Sequence, residues 1–181
     1  IATANPRDVR GVVARLGTAF SDRFTFRIDS PQYDREQRIA IMLGQEERAK
    51  AEVKKVVSVE DILTVRDHIH SEVEINAHAA VFIERLTERA RTRFTDENDF
   101  SRHGAEGERP ALWLVRASKA RAFTAERAYV VLDDIVKLAY PILRHRIDLG
   151  FGVPSSEKQK RIEEIINEAL WESAGVAGNS G

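Results

Sequence analysis

The sequence has no cysteine, and no apolar run in it approaches the roughly 20 residues needed to cross a bilayer. The first absence excludes a disulfide framework, thiolate metal sites and a cysteine nucleophile. It suits a reducing compartment, so a cytoplasmic protein is expected. The second, together with the lack of a charged-then-apolar leader, gives no basis for a membrane partner and makes a soluble chain the expectation. An excess of either charge is also missing. The 28 basic and 29 acidic residues nearly cancel, so no overall field would draw the chain to nucleic acid or to an anionic surface. What is present is 43% hydrophobic residues over 181 positions. That is enough for one full core, or for a small helical domain with a remnant of another.

The chain opens without an initiator methionine on Ile1-Ala2-Thr3-Ala4, which reads as a buried parallel strand already under way and stops at Asn5-Pro6. A segment upstream is therefore expected. Phe24-Thr25-Phe26-Arg27-Ile28 is a second strand-like stretch, ending at the turn signal Asp29-Ser30-Pro31. Two strands cannot make an independent sheet. From Pro31 the pattern turns helical. A charged stretch over 34–55 carries Ile39, Met42 and Leu43 on one face, with Gly44 as an interruption. Ser58 and Asp61 give a capping-box signature ahead of Ile62, Val65 and Ile69, a stripe that ends near Glu72.

Asn76 caps a third helix, in which Ala79, Phe82, Leu86, Ala90 and Phe94 recur at helical spacing. Residues 95–109 read as a polar loop, long enough to be functional. Beyond Pro110, residues Ala111, Leu114, Val115, Ser118 and Ala122 share a helical face. Tyr129-Val130-Val131 is a short extended connector. Asp133 and Asp134 then open a helix bearing Ile135, Leu138, Ala139 and Ile142, with Pro141 bending or tightening its last turn. A last helix, starting at Ser155 or Ser156, sets Ile162, Ile165, Ile166, Ala169 and Leu170 on a face in need of a partner. The small, polar tail from 173 is expected to be disordered.

Ile1-Ala2-Thr3-Ala4-Asn5-Pro6 resembles the sensor 1 strand of AAA+ ATPases, which the MoxR branch ends in Ala-Thr-Gln/Ala-Asn-Pro. A polar amide at the carboxyl end of a buried strand stands in the crevice where α/β sheets bind ligands. The resemblance gives that place to Asn5, which would orient the attacking water or touch a terminal phosphate. Leu16-Gly17-Thr18-Ala19-Phe20-Ser21-Asp22-Arg23-Phe24 is similar to the family's Leu-x-x-Ala-x-x-Asp-Arg-Phe box. It makes Arg23 the arginine finger, whose fixed charge completes a neighbouring subunit's site. Taken alone, Asp22 and Arg23 would be a surface ion pair worth little.

Gly107-Glu108-Arg109-Pro110, Arg116-Ala117-Ser118-Lys119-Ala120, Asp133-Asp134-Ile135 and Leu143-Arg144-His145-Arg146 together resemble the lid of MoxR and magnesium-chelatase ATPases. The register puts Arg109 at sensor 2, where contact with phosphate couples nucleotide state to lid angle. Two details depart from the family wording. Pro110 follows Arg109 instead of preceding it, and Val131-Leu132 stand where Thr-Pro is usual. No Gly-x-x-x-x-Gly-Lys-Ser/Thr loop and no apolar strand ending in paired acids occurs in these residues.

The expected fold is therefore mainly α: the C-terminal helical lid bundle of an AAA+ module plus two strands left over from its α/β nucleotide-binding domain. The core remnant would span 1–31, the lid 32–150, a C-terminal amphipathic helix 151–172 and a disordered tail 173–181. The resemblance implies that the intact protein is an ATPase using ATP and Mg²⁺, with Asn5, Arg23 and Arg109 at its sites, while this chain alone is inactive and holds no cofactor tightly. It implies a homo-oligomeric ring, a hexamer, acting on protein clients that can carry a metal-dependent adhesion-type domain. A magnesium-chelatase ATPase subunit fits the same motifs. A rival of another class is a stand-alone helical interaction module that never handles nucleotide.

Other signals read as structural. His68 and His70 lie two apart on a helix and do not face each other, and neither has metalloenzyme spacing to His78 or His103. The basic cluster Arg85, Arg89, Arg91 and Arg93 is interleaved with Glu84 and Glu88, as on a solvated face. Of the two tryptophans, Trp113 reads as core and Trp171 as a contact candidate.

Overall fold

Caps and breakers decide where the helices begin and end. The computed structural model describes residues 22–30, 32–44, 54–92, 105, 107–149 and 153–175. Among them are six helices: α1 (Arg35–Leu43), α2 (Val59–Glu72), α3 (Ala77–Thr92), α4 (Arg109–Thr124), α5 (Leu132–Leu143) and α6 (Ser155–Ser173). The chain is mainly α, as expected. Asp34 and Gln37 cap α1 reciprocally, at 2.8 and 3.1 Å. The helix stops at Gly44, whose N–H donates to the Ala40 carbonyl at 2.9 Å. The Ser58–Asp61 box forms ahead of α2, with Ser58 N–H to Asp61 Oδ2 at 2.7 Å and Asp61 N–H to Ser58 Oγ at 3.0 Å. Asn76 Oδ1 accepts the Ala79 N–H at 2.8 Å and starts α3.

The chain divides into two compact units, Ile28–His68 and the remainder. In the larger unit α4 packs on α5, α6 packs on α3 and α5, and α3 also meets α4 and α5. Leu86, Leu114, Ile135, Ile142, Leu143 and Ile166 are wholly or almost wholly enclosed there. Each such side chain contributes about 1.5–3 kcal/mol by leaving water. The apolar face of α6 thus finds its partners within the chain, and the helix runs to Ser173, which is itself buried. The connector before α5 is extended as expected. Tyr129 forms a parallel bridge with Glu74, Val130 N–H donates to Glu74 O at 2.9 Å, and Glu74 N–H donates to Ala128 O at 2.8 Å. Neither α1 nor α2, whose last turn from Ile69 belongs to the larger unit, contributes a buried residue.

The strand expected over Phe24-Thr25-Phe26-Arg27-Ile28 does not form a ladder among the described residues. Its backbone is used otherwise: Arg27 N–H donates to the Pro141 carbonyl at 2.9 Å. A β-favouring composition needs a paired neighbour to become a strand, and here the neighbour is the end of a helix. Asn5, the Ile1-Ala2-Thr3-Ala4 strand, Phe94, most of the 95–109 loop and residues 176–181 lie outside the described residues. No helix among those described is long and apolar enough to cross a membrane.

Candidate functional site

Arg109 opens α4. Gly107 precedes it at φ +76°, in the left-handed region that a glycine enters without strain, and Pro110 sits within the first helical turn, where its missing N–H costs nothing. The Arg109 guanidinium is about half exposed, at 54%, and its Nη1 donates to Asp22 Oδ2 at 2.7 Å. Asp22 belongs to the Asp-Arg-Phe box, far away in sequence. Its other carboxylate oxygen, Oδ1, accepts from Arg146 Nε at 3.0 Å.

Arg146 is placed by the end of α5. Pro141 lies in the last turn of that helix, and residues 144–146 continue as a turn, with Arg144 N–H to Tyr140 O at 3.0 Å and Arg146 N–H to Leu143 O at 2.9 Å. Arg144 points its guanidinium over the Tyr140 ring, 4.8 Å from the centroid. Arg146 turns inward and is only 2% exposed. Besides Asp22 Oδ1, its donors reach the carbonyls of Asp22 at 3.0 Å, Phe24 at 2.8 Å and Ile142. Burial lowers the Arg146 pKa from its usual value, and the hydrogen-bonded Asp22 carboxylate works against that shift. The guanidinium remains charged and is satisfied by fixed acceptors.

His145 lies between Arg146 and the box. Its Nε2 is 3.0 Å from the Phe24 carbonyl and 2.8 Å from Arg146 Nη1, while its buried Nδ1 has no hydrogen-bond partner. Nε2 donates to the Phe24 carbonyl only in the tautomer that carries its proton there, and accepts from Arg146 Nη1 only in the other, so a neutral ring satisfies one of these two contacts at a time. Burial, reinforced by the adjacent Arg146 charge, lowers the His145 pKa to about 4. The ring is therefore neutral near pH 7.

Two of the three residues expected at the site fall within the described region. The structure brings Arg109 to the arginine box through Asp22, whereas Arg23 is exposed next to it in the chain. Asn5 lies outside. Asp22 pairs with Arg109 and Arg146, not as a surface pair with its neighbour Arg23. Asp22 and Arg146 carry no role in the sequence reading. Their one signal is membership of the quoted motifs, Asp22 in the Asp-Arg-Phe box and Arg146 in Leu143-Arg144-His145-Arg146; the polar neighbours Ser21, Arg23, Arg144 and His145 hide both as buried charges.

A second ion cluster holds the bundle itself. Asp134, 1% exposed, accepts from Arg127 at 2.7 and 2.8 Å and from Val131 N–H at 3.0 Å, with Arg121 Nε 3.3 Å away. Burial works to raise its pKa, but these hydrogen bonds and charges outweigh it and keep the carboxyl below the usual range. Among the described residues no group of three or more His, Cys, Asp or Glu side chains could hold a metal ion. Arg91 pairs with Glu88 on its own helix, as expected of a solvated basic face, whereas the half-buried Arg89 reaches across to Glu172 of α6 at 2.7 Å, and Arg93 lies outside the described residues.

Residues 93–169 match the family model described as the AAA lid domain. The chain is 27% identical over 177 residues to Chaperone MoxR1 of Mycobacterium tuberculosis (strain ATCC 25618 / H37Rv), a match covering 94% of this chain and 45% of that protein. A crystal structure of a Cytophaga hutchinsonii ATCC 33406 protein assigned as an ATPase superposes with a TM-score of 0.64 at 29% identity, covering 81% of this chain and 47% of that one. The chain thus spans about half the length of the relatives it matches.

Proposed function

We propose that the intact protein is a MoxR-type AAA+ ATPase that couples ATP hydrolysis to the remodelling or activation of partner proteins, and that these residues supply its sensing parts; the match of residues 93–169 to the AAA lid domain and the likeness to Chaperone MoxR1 support this reading. The observation that carries this reading is the juxtaposition of Arg109, at the first turn of a lid helix, with the Asp22-Arg23 box. An arginine so placed moves with α4, so a contact with the terminal phosphate would pull on the lid as a whole. Arg109 acts as sensor 2. Arg23, exposed on the same box, is free to reach a neighbouring subunit as the arginine finger, where a fixed charge stabilises the transferring phosphoryl group. Asn5 orients the attacking water.

Mg²⁺, when bound with ATP, neutralises charge on the phosphates. The phosphate loop and the paired acids are absent from these 181 residues, and the proposal assigns them to the rest of the intact protein. An arginine finger acts between subunits, which fits a homo-oligomeric ring; a hexamer and a cytoplasmic location belong to the same proposal. Its clients are proteins, among them ones with a metal-dependent adhesion-type domain. ATP turnover by the full-length protein carrying Arg23→Ala tests the proposal. Turnover should fall by about two to four orders of magnitude while nucleotide binding survives. Unchanged turnover would remove Arg23 from the site.

A further inference from the structure

We propose that Asp22 is a positioning residue for Arg109: its carboxylate competes with the terminal phosphate of ATP for the Arg109 guanidinium and so sets nucleotide affinity. The proposal rests on Arg109 acting as sensor 2. The two guanidinium groups on Asp22 are held very differently. Arg146, 2% exposed, has the Asp22, Phe24 and Ile142 carbonyls as well as Asp22 Oδ1, so releasing it would strand an enclosed charge. Arg109, 54% exposed, makes one contact, Nη1 to Asp22 Oδ2. A half-solvated arginine on a single carboxylate oxygen is cheaply released. A triphosphate offers the same planar fork more charge and more acceptor oxygens.

The arrangement also avoids the usual cost of exchanging an ion pair. When Arg109 departs, Asp22 keeps Arg146 at 3.0 Å, so the 22%-exposed carboxylate is never left without a counter-charge. Arg146 meanwhile keeps its bonds to the Asp22 and Phe24 carbonyls. The backbone on either side of Arg23 thus stays pinned while Arg109 moves.

The test is the affinity of the full-length protein for a non-hydrolysable ATP analogue with Mg²⁺, measured by calorimetric titration. Asp22→Asn removes the charge but keeps an oxygen for Arg146, and it should tighten binding by about 5-fold. Asp22→Glu, which restores a carboxylate, should return affinity towards the unmodified value. Arg109→Gln should weaken binding, and Asp22→Asn added to Arg109→Gln should then change nothing. A merely structural role for Asp22, or a general effect of removing a negative charge, would shift affinity alike in both backgrounds and would overturn the proposal. So would Asp22→Asn without tightening. Asp22→Ser, also neutral, gives a second readout of the same kind if the Asn variant folds poorly. If Arg109→Gln alone leaves affinity and turnover unchanged, the sensor assignment itself fails, an outcome distinct from the loss of coupling with the sensor intact.

Discussion

The two compact units carry the same kind of amphipathic pattern and bury it differently. α3 encloses Ala79, Phe82, Ile83, Leu86 and Ala90, whereas α2 has no buried residue and leaves Ile62 and Val65 exposed. Helical spacing identifies the face that could be buried; burial itself needs elements packed on that face, which α4, α5 and α6 provide for α3. Charge follows the same division. In the larger unit Asp134 and Arg146 are enclosed and fully engaged, while the polar pairs of the smaller unit, such as Ser58 with Asp61, are exposed caps. An enclosed charge is expensive to leave unpaired, and a surface one is not.

That difference should appear in the response to single substitutions. Asp134→Ala deprives Arg127, Arg121 and the Val131 N–H of their shared acceptor and should cost roughly 3–5 kcal/mol in urea unfolding of the chain. A loss below about 1 kcal/mol would mean that the cluster does not hold the bundle. The next effect depends on pH. The unfolded chain protonates His145 below about 6.5, but the folded chain resists until about 4, so acid favours the unfolded state across that window. The stabilisation is complete above pH 6.5, and on the order of 2–3 kcal/mol should be lost by pH 4. His145→Gln should flatten that part of the pH–stability curve. Ile62→Ala, on the exposed face of α2, should change stability by less than about 0.5 kcal/mol. A larger loss would show that this side chain is covered after all.

Local chemistry was legible in the sequence, and long-range charge was not. The caps at Ser58 and Asn76 form as their spacing predicts, because capping is decided within three or four residues. The buried faces of α3, α4 and α5 follow from periodicity alone. α1 ends at Gly44, the interruption expected within the charged stretch over 34–55, and residues 45–53 lie outside the described ones. The site is another matter. Arg109 lies 87 positions from Asp22, and Arg146 lies 124 from it, so no window of sequence contains the pair. Only the family resemblance pointed to Arg109, and nothing pointed to Asp22 as its partner. The expected strand at Phe24-Thr25-Phe26-Arg27-Ile28 failed for a related reason: pairing is a property of two segments, and composition describes one.

At the centre of the proposal stands a chain that senses nucleotide while other residues of the intact polypeptide hold it. ATP hydrolysis measured side by side in the full-length protein and in these 181 residues, with Mg²⁺ present, addresses that division directly. We expect Mg²⁺-dependent turnover in the full-length protein and none measurable in the chain alone. Robust turnover by the chain, or none by the full-length protein, would contradict it.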